Sequence, residues 1–219
     1  MPREAPSSIG LDDAVELTRT GDLWLFRGHS TADRAIRGLT NSPVNHVGMA
    51  VVVDDLPALM WHAELGRTLP DLWSGTNHRG AQLHDLRAAV LRWTREYGQQ
   101  AWLRQLDRPV TRAMEDAALR TVARLDGMPF PSTSALAGRW FLGRVPVPRR
   151  PRRGDLGLEN AYCAEIVAMT YQSMGLLPSE RPNRYDPGSF WSGDHLRLAE
   201  GYGLGGEIAV TVPDDSGAR

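Results

Sequence analysis

The chain has 219 residues, 42% of them hydrophobic and 23% charged, a mix that supports a packed core and excludes a disordered or fibrous chain. Its 25 basic and 26 acidic residues nearly cancel at a net charge of −1, so no bulk electrostatic pull toward nucleic acid or membrane is expected. Every basic residue is Arg, which excludes lysine Schiff-base chemistry, and the single Cys163 excludes an internal disulfide and a multi-cysteine zinc site.

No run approaches the roughly 18–20 apolar residues of a transmembrane helix. The segment Met1–Gly10 lacks the apolar stretch of a secretory signal, so a cytoplasmic protein with a reduced thiol is expected. Residues 1–10 and 213–219 read as tails around one domain over 11–212. A helix is predicted from Leu11 to Arg19, ending near Gly21, then a strand over Asp22–Arg27. Residues 43–53 and Leu59–Leu65 read as a hairpin around Asp54-Asp55 and Pro57. A short strand over Gln82–Leu86 follows, then a helix over 87–97 stopped by Gly98, and a strand over Ala101–Leu106. Thr111–Leu125 is amphipathic and helical. A further helix is expected over 134–143. The prolines and arginines of Arg144–Gly154 forbid regular structure and predict an exposed connection. The last elements are a helix over 161–174, with Asn160 as its N-cap and Gly175 as its stop, and a strand over Gly206–Val212.

Capped by Asn160, the helix would hold Cys163 in its first turn, where free N–H groups and the helix dipole favour a thiolate. The alternative is a buried cysteine acting as a small hydrophobe. His46, Gly48 and Ala50 share one strand face, whose small residues admit a closely packed helix carrying Cys163. On the return strand, His62 and Glu64 share a face and can stand beside His46, since facing residues are about 4.5–5.5 Å apart. A thiol, an imidazole and a third polar group together activate sulfur as a nucleophile. Cys163, His46, His62 and Glu64 also form a mixed zinc donor set, though without a known zinc spacing. His29, His78, His84 and His195 show no comparable pattern and are read as solvent-facing.

Gly21-Asp22-Leu23-Trp24-Leu25-Phe26, followed by Asn45-His46-Val47-Gly48-Met49, resembles the opening of the circularly permuted papain-like cysteine hydrolases. These are the YiiX/YaeF-like and lecithin–retinol acyltransferase-like branches of the NlpC superfamily. Tyr162-Cys163-Ala164-Glu165-Ile166-Val167, Gly175-Leu176-Leu177 and Pro187-Gly188-Ser189-Phe190 resemble its closing part, with His before Cys as in the permuted order. Ala164 departs from the Ser that many relatives carry. The resemblance implies an α+β, permuted papain-like fold: an antiparallel sheet against helices, with the nucleophile at a helix N-terminus. It further implies Cys163 as nucleophile, His46 as base and His62 as third residue, with Glu64 in reserve; no cofactor and no metal are expected.

The function this implies is acyl transfer through a Cys163 thioester, on an amide or ester of a lipid or peptide, with water or another nucleophile as acceptor. Trp24, Phe26, Trp61, Trp73, Phe190 and Trp191 line an acyl pocket on that reading and are core residues on the plainer one. Arg149, Arg150, Arg152 and Arg153 either meet anionic groups or sit on a solvated loop. The rival function is a non-catalytic binding module that retains the fold. A redox sensor is a lesser alternative, since no second cysteine exists to resolve a sulfenic acid.

Overall fold

The computed structural model describes residues 8–29, 42–64, 69–128, 155–192, 196–199 and 201–213. The elements run β1 (Ser8–Gly10), α1 (Leu11–Leu17), β2 (Leu23–Arg27), β3 (His46–Val51), β4 (Leu59–Glu64), β5 (Gly80–Asp85), α2 (Leu86–Leu91), β6 (Gln100–Arg104), α3 (Arg112–Leu125), α4 (Asp155–Ser173) and β7 (Ile208–Thr211). A π-helical turn, Arg92–Glu96, extends α2. The strands form one seven-stranded sheet in the order β1-β7-β6-β2-β3-β4-β5. All neighbours are antiparallel except β1 and β7. The architecture is α+β with a mixed sheet. Among the described residues, no helix is long and apolar enough to cross a membrane.

β2, β3 and β4 are buried on both faces because helices cover both. Leu23, Leu25, Val47, Met49, Val51, Trp61 and Ala63 pack against α3 and α4 through Ala118, Val122, Cys163, Ile166, Val167 and Tyr171. Trp24, Phe26, Ala50 and Met60 point the other way, onto Leu11 and Ala14 of α1, Leu86, Ala89 and Val90 of α2, and Trp93. Burying such side chains contributes about 1.5–3 kcal/mol each. Trp61 is also tied to α4: its indole Nε1 donates to Thr170 Oγ1 at 3.1 Å. The core reading thus holds for Trp24, Phe26, Trp61 and Phe190, all fully buried, while Trp73 is exposed.

Three expectations change. Ser8–Gly10, read as part of a tail, pairs with β7 in the sheet. The 87–97 helix divides into α2 and the π turn. α4 begins at Asp155, so Asn160 lies inside it and Cys163 falls well past its first turn. Leu156, Leu158 and Glu159 are good helix formers, and Gly157 opposes them by only about 1 kcal/mol. The dipole argument for a Cys163 thiolate lapses with that start. The expected C-terminal stop stands: Gly175 has φ +78°, and Leu176 N–H turns back to the Tyr171 carbonyl at 2.8 Å. The predicted helix over 134–143, the 144–154 connection and His195 lie outside the described residues.

Candidate active site

Three adjacent strands bring three histidines onto the α2 side of the sheet. Asn45 fixes the start of β3: its N–H donates to the Phe26 carbonyl at 2.9 Å, and its Oδ1 accepts from Gly28 N–H at 2.7 Å. The register of β4 and β5 pairs Met60 with His84, His62 with Gln82 and Glu64 with Gly80. His46 Nε2 hydrogen-bonds His62 Nδ1 at 3.0 Å, and His62 Nε2 hydrogen-bonds His84 Nδ1 at 2.8 Å. Trp93 from the π turn stacks on the His46 ring, with centroids 3.9 Å apart and planes at 18°. Gly48 makes room beside these rings. A Cβ there would stand 2.9 Å from Met60 Cγ and 3.4 Å from His62 Cβ.

The rings are neutral. Burial takes His46 down to about 3 and His84 to about 4. His62 is held well below the ordinary value of 6.5 by burial, then by repulsion from His84 and His46. A hydrogen-bonded chain of neutral imidazoles has one direction at a time, because each ring donates from one nitrogen and accepts at the other. Glu64 closes the cluster. Its Oε2 lies 3.6 Å from His84 Nδ1 and 4.0 Å from His62 Nε2, while its Oε1 accepts from Tyr97 Oη at 3.3 Å. Burial raises its carboxyl to about 7, against the pull of Tyr97 and Arg92. With both partners pushed toward their uncharged forms, Glu64 and the histidines make no resting ion pair.

Cys163 is fully buried in the layer on the other face, with Val47, Ile166 and Val167. The β3–β4 ladder runs only from Met49–Trp61 to Val51–Leu59. Beyond it, the Val47 N–H is directed to the Cys163 sulfur. Burial pushes the thiol up to about 12. The N–H groups of Val47, Ala164 and Cys163 oppose that rise, and Asp186 adds to it.

The structure therefore brings His46, His62 and Glu64 into one cluster with His84. The sulfur of Cys163 reaches the same end of β3 from the opposite side. The expectation that the Cys163 helix packs on the His46–Gly48–Ala50 face is not met. Met60, α2 and Trp93 occupy that face, because the space left by Gly48 is taken by the Met60 side chain. His84, read as solvent-facing, is buried at the far end of the imidazole chain. The available signal was the period-2 alternation Gln82, His84 on a strand next to His62.

No protein-family model matches the chain, and no curated protein matches it. Among solved structures it is similar to a crystal structure described as the metalloprotein yiiX from Escherichia coli O157:H7. The two are 19% identical, with 75% of this chain and 68% of that one covered, at a TM-score of 0.47.

Proposed function

We propose that the protein is a cysteine-dependent acyl-transfer enzyme, an amidase, esterase or acyltransferase, acting on an amide or ester of a lipid or peptide through a Cys163 thioester. One observation carries the reading. The Val47 N–H holds the Cys163 sulfur one residue from His46, whose Nε2 is oriented by His62. In the reaction His46 removes the thiol proton as sulfur attacks the carbonyl carbon, and His62 fixes the tautomer of His46. The leaving amine or alcohol takes that proton, and water or a second nucleophile then cleaves the thioester.

With the thiol near 12 and His46 near 3, the resting pair is thiol and neutral imidazole, so proton removal accompanies attack. His46 must also leave its Trp93 stack and turn toward the open end of the β3–β4 seam. The test is intact-protein mass spectrometry after incubation with activated acyl esters and amides. The expected result is an acyl adduct on Cys163, lost in Cys163→Ala and formed at least about 100-fold more slowly in His46→Ala. No adduct, or equal rates in wild type and His46→Ala, rejects it. The full burial of the thiol favours the second reading, a non-catalytic binding module, which expects neither adduct nor turnover.

A further inference from the structure

We propose that His62, Glu64 and His84 form a binding site for a divalent cation of the zinc class, with His62 Nε2, His84 Nδ1 and Glu64 Oε2 as ligands. The three atoms stand 2.8, 3.6 and 4.0 Å apart. Ligands at zinc distances on a tetrahedron are about 3.3 Å apart, so the separations need to change by about 0.3–0.7 Å for the cluster to close. Two imidazoles and one carboxylate are a donor set that zinc accepts, leaving a fourth position open. All three side chains are buried, and they come from neighbouring strands of one sheet, which fixes their spacing.

The hydrogen bonding is incomplete without an ion. Among the described residues, Glu64 Oε2 is buried with no hydrogen-bond partner, and so is Gln82 Oε1, on the same face opposite His62. Buried polar atoms of this kind are uncommon and need an explanation. An imidazole-to-imidazole hydrogen bond accounts for His62 Nε2 and His84 Nδ1 but leaves the carboxylate oxygen stranded, and His84 Nε2 is buried without a partner as well. A cation would engage His62 Nε2, His84 Nδ1 and the stranded Glu64 Oε2 together. Two of the ligands also have the outer partner that metal ligands usually show. His62 Nδ1 meets His46 Nε2, and Glu64 Oε1 accepts from Tyr97. Tyr97 is 39% exposed, so the cluster lies one side chain below the surface.

Occupation would also set the direction of the imidazole chain. A cation on His62 Nε2 leaves the proton on Nδ1, which then donates to His46 Nε2. The proton of His46 moves to its own Nδ1, so that ring can no longer act as a base. This inhibitory consequence rests on the acyl-transfer reading; the binding does not.

The test is calorimetric titration of Zn²⁺ into the chelator-treated full chain, with Co²⁺ absorption as a second measurement on wild type. We expect one ion per chain, the intense visible bands of four-coordinate Co²⁺, and no sulfur-to-metal charge transfer. His84→Gln and Glu64→Gln should each weaken binding at least about tenfold, with Cys163→Ala unchanged. No stoichiometric uptake, uptake undiminished in both variants, or a sulfur charge-transfer band overturns the proposal. Because no step measures catalysis, loss of the acyl-transfer reading would leave these outcomes unaffected.

Discussion

At the scale of single residues, burial governs Cys163. A thiol near 12 is almost wholly protonated at neutral pH, so iodoacetamide should label it slowly at pH 7.5, with a rate that climbs throughout the alkaline range. The folded value lies above the ordinary thiol value of 9.0, so folding keeps the proton on. The stability this contributes is complete below about pH 9 and is lost as pH rises toward 12. The full rise corresponds to about 4 kcal/mol at the limit. Urea unfolding at successive pH values should therefore show a flatter alkaline decline in Cys163→Ala than in wild type. Thr170→Val tests a different contact, since it strands the fully buried Trp61 indole N–H. A loss of about 1–3 kcal/mol in denaturant stability is expected, and no change would mean the indole finds another acceptor.

At the scale of elements, the β3–β4–β5 meander is the device that makes the cluster. Gly48 is its tightest point. Gly48→Ala should destabilise by about 1–3 kcal/mol through overpacking against Met60. In Met60→Ala the same substitution should cost much less, and additive costs in the double-mutant cycle would place the conflict elsewhere. The elements themselves were legible. β2 and β3 announce themselves as aromatic and aliphatic runs, and Thr111 caps α3, its side chain accepting from Met114 N–H. The face that α4 covers was not legible, because β3 is buried on both sides and alternation carries no signal when helices lie above and below. Gly48 and Ala50 admit a helix or a neighbouring strand's side chain equally well. The place of His62 beside His46 was legible from the hairpin. That of His84 required the β4–β5 register, which a short strand with Gly80, Ala81 and Gln82 does not advertise.

At the scale of the whole molecule, three neutral histidines sit inside a two-faced core. Their folded pKa values lie below the unfolded one, so the stability they contribute is present above about pH 6.5 and is lost as pH falls toward 4 and then 3. For His46 alone the full shift is worth roughly 5 kcal/mol. The metal-free protein should therefore unfold in mild acid, before the rings reach their folded pKa values. Thermal melts between pH 7 and pH 4 check this. A Tm that stays constant over that interval would show that the rings are not held neutral by burial.

The unfinished seam between β3 and β4 gives the molecule its own spectroscopic probe. The Val47 amide, which continuation of the ladder would hand to a neighbouring strand, is directed instead to sulfur. Whatever the sulfur carries is therefore written into one backbone signal. Alkylating or acylating Cys163 removes that acceptor, so the Val47 amide resonance should shift and its exchange with deuterium should quicken. The amides of Met49 and Val51, inside the completed ladder, should keep their protection. A single labelled valine or one cross-peak would then follow the chemistry of the thiol in real time, without a chromogenic substrate.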